Sequence, residues 1–363
     1  MITENLLSQI NKGREGRNWG LPMGLPKLEQ YIDGVSQGTY TLLFSGSGVG
    51  KSSFALYSYV YRPIMDTIDE IDKLQIIYIS LEMKAEVLMA KLLSTYIFET
   101  YGRNISYKEM LSKTRNTVLS DEDYDLIQQS IPWMQKVESF LTIYDKQLTA
   151  GKYNEILIKI AEKNGSFEDT GNRKIYHPKD PDKVVLFVID HLALVTRTGS
   201  NTLKNEMDNV SNLSVYYRNI CNFSFLKIMQ SNRESANIER RKMDLLEPQR
   251  SDIKDSSCME ADCDNMLALY NPFREKLNSY RGYDIKTLNS HFRSVILLKN
   301  RYGDGDISIG CSFFGGCNLW HELPRADEIN DYEKYTNTDI YNPKMKIKEK
   351  EEEIRDVKIN MIL

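Results

Sequence analysis

Apolar positions along the chain occur mainly as short continuous runs, separated by stretches in which they recur every three or four residues. The runs with the length of buried strands are residues 40–45, 76–80, 184–190, 223–230, 265–270, 294–299 and 307–313. The spaced stretches indicate helices at residues 51–61, from the second run to about residue 98, and at 207–220. A strand that is apolar throughout is covered on both faces, as in parallel sheets. The pattern therefore predicts an α/β fold with a mainly parallel sheet and helices on both faces.

The start of the chain follows a different pattern. Residues 2–11 place Ile2, Leu6, Leu7 and Ile10 on one face of a short amphipathic helix, and the Gly-containing stretch 13–20 separates it from the rest. Periodicity alone leaves open whether this face docks on its own domain or, through the tether, on a neighbouring subunit. We assign residues 1–20 to a helix and linker that dock on a neighbouring subunit, as a subunit-exchange element.

The remaining chain predicts one core with an insertion and a tail. We place the core at residues 21–324 and expect a polar, helical excursion at about 100–183 that ends in a loop at 165–182. Residues 325–363 are charged and rich in Tyr and Asn, with a Lys- and Glu-dense run at 344–358, and predict a loose tail.

Composition restricts the class of protein further. Net charge is only -4 and the pI is about 5.8, so any contact with nucleic acid must lie on a local patch or inside a ring channel. The five cysteines form no CxxC pair and the four histidines are scattered, which suits a reducing compartment and indicates no metal-ligand framework. Since no leader and no apolar run of membrane-spanning length is visible, we expect a soluble, cytoplasmic protein.

The sharpest chemical signal is SGSGVGKS at residues 45–52, between the first predicted strand and helix. Glycines in this setting let successive backbone N–H groups converge on a phosphate at a helix N-terminus. Lys51 is expected to reach the β- and γ-phosphate oxygens of ATP, and the Ser52 hydroxyl to ligate Mg²⁺. Ser45 stands where the first glycine is usual, but this position only opens the loop. The predicted nucleotide-binding residues are Gly46, Ser47, Gly48, Val49, Gly50, Lys51, Ser52 and Ser53.

Three polar side chains follow the ends of other predicted strands. Asp190 ends an apolar strand, where a parallel sheet presents its ligands, and is predicted to hold Mg²⁺ through water; the alternative is a helix-capping Asp. Glu82 is predicted to orient the attacking water in line with the γ-phosphate. Gln230 is predicted to sense the γ-phosphate. Taken singly, each would be an ordinary polar residue, and their shared placement carries the prediction.

These motifs and several others resemble those of a known family. SLEM (80–83), VIDHL (188–192), QSNR (230–233), SDIKDSSCMEADCD (251–264) and KNRYG (299–303) are similar, in order and spacing, to the motifs of DnaB-type replicative helicases. The resemblance covers about residues 20–320 and implies a RecA-like P-loop NTPase core. It also implies a homohexameric ring that unwinds DNA 5′ to 3′ on single-stranded DNA, with a primase or helicase loader as a partner. The chain looks like a phage- or plasmid-sized member without the N-terminal helical domain.

The resemblance also assigns roles to single residues. Lys299 and Arg301 match the basic pair that reaches into the neighbour's ATP site, and Glu260 and Asp264 fall at the family's acidic pair. The predicted DNA contacts are Lys254, Asp255 and Ser257 in the channel loop, with Arg197 and Lys204 after the Asp190 strand. Lys and Ser occupy channel-loop positions where the family usually has Arg and Gly, which retains the charge and changes the geometry. Ordinary solvation is the alternative for all these basic residues.

Two other functions would use the same nucleotide site. A RecA-type recombinase or recombination mediator would form filaments and pair strands. A KaiC-like regulatory ATPase, or a packaging-associated scaffold, would switch partners without moving along DNA. Ring or filament images separate the first from a helicase, and the response of ATP hydrolysis to single-stranded DNA separates the second.

Overall fold

A computed structural model of the chain describes residues 2–16, 18–113, 118–171, 174–231, 246–253 and 257–343. The strands are β1 (Tyr40–Ser45), β2 (Leu74–Ser80), β3 (Leu141–Tyr144), β4 (Gly165–Asp169), β5 (Lys174–Pro178), β6 (Val184–Asp190), β7 (Ser224–Gln230), β8 (Asn265–Tyr270), β9 (Ser279–Tyr280), β10 (Tyr283–Asp284), β11 (Phe292–Asn300), β12 (Ile307–Phe314) and β13 (Leu319–Glu322). The α-helices are α1 (Ile2–Arg14), α2 (Pro26–Glu29), α3 (Lys51–Phe54), α4 (Arg62–Asp66), α5 (Ala85–Tyr101), α6 (Tyr107–Met110), α7 (Asp121–Gln129), α8 (Ile131–Phe140), α9 (Ala150–Asn164), α10 (Leu203–Cys221), α11 (Ser257–Asp262) and α12 (Ile285–Leu288).

One nine-stranded sheet organises the core, in the order β13-β12-β11-β8-β1-β7-β6-β2-β3. From β8 to β3 neighbouring strands run parallel, whereas β11, β12 and β13 are antiparallel additions. Every residue of β1, β2, β6 and β8 is buried, so both faces of the sheet are covered. The mainly parallel sheet predicted from the apolar runs is confirmed.

The parallel register brings the predicted polar residues together along one edge of the sheet, the one formed by the carboxyl ends of the parallel strands. Ser45 lies opposite Gln230, and Ser80 lies opposite Asp190. Because parallel strands end at the same side of the sheet, the P-loop, Asp190 and the turn that carries Glu82 meet there.

The insertion at 100–183 contains more strand than expected. β3 is the outermost strand of the main sheet, beside β2, with Leu141 opposite Ile76. The predicted loop at 165–182 contains the antiparallel pair of β4 and β5, in which Gly165 lies opposite Pro178. A four-residue, half-exposed strand such as β3 lacks the long apolar run that marked the other strands.

Two boundaries also differ from the prediction. The helix expected at 51–61 continues to Asp66, with a π-helical segment at Ala55–Tyr61 between α3 and α4. The expectation of a loose tail from residue 325 is wrong for its first part. Short 3-10 turns pack there, and the Tyr341 ring contacts the rings of Phe314 (5.7 Å) and His321 (4.3 Å) between centroids. The charged run at 344–358 lies outside the described residues.

The N-terminal helix is longer than predicted and ends at Arg14. Leu6, Leu7 and Ile10 are 57%, 54% and 48% exposed, so the described residues do not cover its apolar face. One contact of this helix with the rest of the chain is an ion pair from Lys12 to Asp182 at 2.6 Å. Among the helices in the described ranges, none combines the length and the hydropathy needed to cross a membrane.

Candidate nucleotide-binding site

The loop between β1 and α3 has the conformation that its glycines predict. Gly48 has φ +70° and Gly50 has φ +120°, in the region that side chains rarely adopt. A Cβ at Gly50 would lie 3.1 Å from the Trp320 ring, a tight contact, so limited space adds to the conformational preference for glycine there. The loop leads directly into the helix that begins at Lys51, where unpaired backbone N–H groups favour an anion.

The Lys51 side chain folds back over this loop. Its Nζ donates to the carbonyl oxygens of Ser45 at 3.1 Å and Gly46 at 3.0 Å. Burial lowers the pKa of Lys51, and the negative charges of Asp190 and Glu82 oppose that decrease. The ammonium group therefore lies against the loop at the start of α3, where a phosphate chain at the helix N-terminus would be within its reach.

Two arginines that were missed in the sequence also hold the loop. Arg293, at the start of β11, donates from Nε to the Val49 carbonyl oxygen at 2.7 Å, and the Nη1 group of Arg274 donates to the Ser47 carbonyl oxygen. Arg293 is 6% exposed, and burial lowers its pKa to about 10. The sequence signal that could have identified Arg293 was a charged residue next to a mainly apolar run. Together with Lys51, these cations bind the outward carbonyl groups of the loop and leave its N–H groups for a ligand.

Asp190 is almost completely buried, with 1% of its surface exposed. Its Oδ2 accepts a hydrogen bond from the Tyr78 hydroxyl at 2.8 Å, while Oδ1 has no partner among the described residues. Burial raises the pKa of Asp190, and the hydroxyl groups of Ser52 and Tyr78 oppose this increase. The following 3-10 turn begins after His191 without a side-chain cap, so the capping alternative is not supported. An unpartnered carboxylate oxygen beside a P-loop serine suits a hydrated Mg²⁺ ion.

Glu82 and Gln230 lie at the same edge of the sheet. The Glu82 side chain is 59% exposed, and its Oε2 is 4.0 Å from Nε2 of His191. Burial lowers the pKa of His191, which favours a neutral ring beside this carboxylate. Gln230 is exposed and its neighbour Ser231 donates its N–H to the Ser45 carbonyl oxygen at 3.0 Å. The structure thus brings both residues to the mouth of the loop.

Lys299 and Arg301 lie elsewhere, at the opposite edge of the sheet, which is formed by the amino ends of the parallel strands. β11 runs antiparallel to β8, and its last residue, Asn300, pairs with Asn265 at the start of β8. Lys299 Nζ donates to the Cys263 carbonyl oxygen at 2.7 Å, and Arg301 Nη1 lies 2.8 Å from Oδ1 of Asp264. The basic pair is therefore a full strand length away from the P-loop of its own chain.

The predicted DNA contacts are only partly described. Lys254, Asp255 and the side chain of Ser257 lie outside the described residues. Arg197 and Lys204 are both exposed in the segment after β6. A cavity of about 320 Å³, lined by Ser47, Arg274 and residues of the 246–252 segment, separates the P-loop from the base of the predicted channel loop.

Comparison with known proteins gives a consistent result. Residues 20–317 match the model of the DnaB-like helicase C terminal domain. The chain is 24% identical over 297 residues to replicative DNA helicase DnaC of Bacillus subtilis (strain 168), which covers 82% of this chain and 55% of that protein. It spans about half the length of the curated relatives it matches.

Solved structures show the same fold. A protein chain described as an ATPase domain superposes with a TM-score of 0.68 at 17% identity, covering 89% of this chain and 99% of that chain. A DnaB-like replicative helicase, described with its interactions with primase, superposes with a TM-score of 0.64 at 18% identity, covering 88% and 68% of the two chains. The RecA-like fold predicted from the motifs is confirmed.

Proposed function

The chain belongs to the DnaB-like helicase C-terminal domain family, and from this membership we propose that it is the ATP-driven motor of a hexameric replicative DNA helicase. The observation that carries the proposal is the division of its functional residues between two edges of one sheet. The P-loop, Asp190 and Glu82 lie at one edge, whereas Arg301 lies at the other. A complete site with all these residues requires two subunits.

The nucleotide edge binds ATP and places the water that attacks it. Backbone N–H groups of the 46–50 loop and the Lys51 ammonium hold the phosphates, and the Ser52 hydroxyl and Asp190 would hold Mg²⁺, which neutralises phosphate charge when bound. Glu82 is exposed at the mouth of the loop and orients water toward the γ-phosphate. Gln230, directly opposite Ser45 in the sheet, responds to the loss of that phosphate.

The opposite edge completes the site of the next subunit. Arg301 and Lys299 supply positive charge to the neighbour's phosphates, so that hydrolysis depends on assembly. Such an interface joins one surface of a subunit to a different surface of the next copy. Repeated copies close into a ring when the rotation between neighbouring subunits returns to its starting point. A ring of six satisfies this requirement for every site at once.

DNA contact follows from the same repetition. A chain with a net charge of -4 has no overall positive field that would attract DNA to a single subunit. In a ring, Lys254 of the 250–257 loop of each subunit, with Arg197 and Lys204, presents repeated positive charge to the phosphates of a single strand. Movement 5′ to 3′ is the direction that the resemblance implies. Because the DnaB-like helicase of similar fold is described with its interactions with primase, we propose a primase or a loader as a partner here.

ATP hydrolysis by the full-length chain, measured with and without single-stranded DNA and alongside particle images, tests the proposal. We expect stimulation by DNA and six-membered rings. A lone subunit in the presence of nucleotide and oligonucleotide would contradict it. Filaments would favour the recombinase alternative, and hydrolysis that is indifferent to DNA would favour a regulatory ATPase.

A further inference from the structure

Asp264 joins three separate parts of the fold at the edge of the sheet that carries the basic pair. It lies directly before β8 and is 1% exposed. Its Oδ2 accepts hydrogen bonds from the Tyr40 backbone N–H at 2.9 Å and from Arg218 Nη1 at 3.0 Å. Its Oδ1 lies 2.8 Å from Arg301 Nη1. A buried carboxylate with several charged and backbone donors is held in one orientation, and it holds its donors in turn.

The backbone of Asp264 restrains Arg301 as well. The N–H of Arg301 donates to the Asp264 carbonyl oxygen at 2.9 Å, so the same residue holds the main chain and the guanidinium of this arginine. The second terminal nitrogen, Nη2, donates to the Ala261 carbonyl oxygen at 3.1 Å. A guanidinium has five N–H donors, and these contacts leave others for a further acceptor. The Arg301 side chain is 36% exposed and can reach one outside its own chain.

We infer that Asp264 is a positioning residue that orients Arg301 toward the nucleotide bound by the neighbouring subunit. The inference rests on the proposed function, in which Arg301 acts in trans. A free arginine side chain loses about 2 kcal/mol of rotamer entropy when it is fixed. A carboxylate that holds the guanidinium before the neighbour arrives removes much of that penalty, and preorganised charge is what transition-state stabilisation requires.

The contact with Tyr40 provides the competing explanation. Tyr40 begins β1, the strand that ends at the P-loop, so Asp264 could instead support the nucleotide site of its own chain. The two explanations place the effect of Asp264 in different subunits of an interface. Mixing variants therefore separates them.

The test uses Asp264→Asn in the full-length chain, which keeps the shape and removes the charge. We expect kcat for ATP to fall about 100-fold, the scale of a misplaced catalytic group, while KM for ATP changes little. Mixed rings with Lys51→Ala subunits should recover activity above the sum of the separate variants. In such rings, the intact P-loop of an Asp264→Asn subunit meets the intact Arg301 of a Lys51→Ala subunit.

Asp262→Asn is the matched control. It removes a carboxylate two residues away, at the end of α11, that accepts from Ser211 Oγ at 2.7 Å. We expect it to retain nearly normal kcat. Asp264→Glu is a second variant, which keeps the charge but displaces the anchor, and its smaller loss should also be rescued in mixed rings.

A loss of kcat that mixing does not rescue, in either Asp264 variant that remains folded, would overturn the inference and favour the role through Tyr40. Failure of both variants to fold would overturn it as well, because a residue that the fold cannot lose has no separable positioning role. Arg301→Ala mixed with Lys51→Ala is the reference. If that pair shows no rescue, the trans site of the proposed function is wrong; if it does and the Asp264 variants do not, only the present inference fails.

Discussion

Arg293 Nε donates to the carbonyl oxygen of Val49 at 2.7 Å, across 244 residues of sequence. The arginine is buried at the start of β11, and its Nη1 group also donates to the carbonyl oxygens of Ser290 and Phe292. The beginning of an antiparallel strand, which reaches the nucleotide side of the sheet because Ser294 pairs with Tyr270 at the end of β8, thus supports the phosphate-binding loop. The shape of the loop depends on this contact as well as on its glycines.

We predict that Arg293→Met weakens the binding of ATP and ADP by the same factor, about 10-fold, the equivalent of one modest hydrogen bond. We expect the part of the loop that contains Val49 to surround the β-phosphate, which both nucleotides carry. The free energy of unfolding should fall by about 2–4 kcal/mol, because the buried carbonyl groups of Val49 and Phe292 and the part-buried one of Ser290 lose their donor. Titration calorimetry and thermal unfolding measure the two effects.

Arg274→Met is the control for that variant. Arg274 is exposed, so the loss of its contact with Ser47 should lower the free energy of unfolding by less than about 1 kcal/mol. A change in ATP affinity without a change in ADP affinity for Arg293→Met would contradict a supporting role and indicate a contact with the γ-phosphate.

Lys51→Ala should abolish both ATP hydrolysis and DNA unwinding. The Lys51 ammonium group lies on the loop against the carbonyl oxygens of Ser45 and Gly46 and is affected by the charges of Asp190 and Glu82, whereas Arg274 and Arg293 bind the carbonyl groups of Ser47 and Val49. Phosphate release under saturating ATP is the measurement, with Lys84→Ala as a control because that lysine is exposed. Normal turnover in Lys51→Ala would refute the site.

Asp190→Asn should stabilise the fold in the absence of nucleotide while it removes activity. Burial raises the pKa of Asp190 above that of an unfolded Asp, so the folded state binds a proton more tightly. Below the pKa that Asp has in the unfolded chain, the Asp190 carboxyl is neutral and its burial carries no charge penalty. Stability is lost as the pH rises through the pKa of Asp190 in the folded state. At neutral pH the Asn variant lacks this penalty, and we expect its Tm to be about 1–3 °C higher.

The pH dependence of the difference in Tm between Asp190→Asn and the natural chain tests this explanation. The gap in Tm should close as the pH falls below the unfolded pKa of Asp, where both side chains are neutral. Magnesium and ADP together should stabilise the natural protein more than Asp190→Asn. An Asn variant that is less stable than the natural chain at neutral pH would show that the Tyr78 hydrogen bond outweighs the buried charge.

The sequence alone predicted the elements whose chemistry is local. The apolar runs were recognised because central parallel strands have no exposed face, and the P-loop because Gly48 and Gly50 adopt backbone conformations that other residues avoid. β3 was missed because half of it is exposed and it is short. Tyr341 was assigned to a loose tail, since composition does not show that its ring packs on Phe314.

Residues that act through distant partners were harder to identify. Arg293 and Arg274 bind main-chain carbonyl groups of the P-loop, and a carbonyl acceptor has no sequence signature. Asp264 and Arg301 were both noticed through the family resemblance, but their contact depends on the antiparallel pairing of β11 with β8. The trans assignment of Arg301 and the channel loop stay predictions.

Mixing Arg301→Ala with Glu82→Gln subunits tests the trans assignment directly. Each variant alone should lose most of its ATP hydrolysis, by at least about 1,000-fold for the arginine, because transition-state charge is left uncompensated. At half of the mixed interfaces the intact Glu82 of an Arg301→Ala subunit faces the intact Arg301 of a Glu82→Gln subunit, and activity should return. Mixing Arg301→Ala with Arg301→Lys, which share a defect at the same edge of the sheet, provides the control without complementation. Assembled rings in which the first mixture remains as inactive as its components would place Arg301 outside the neighbour's site, and its ion pair with Asp264 would then be structural.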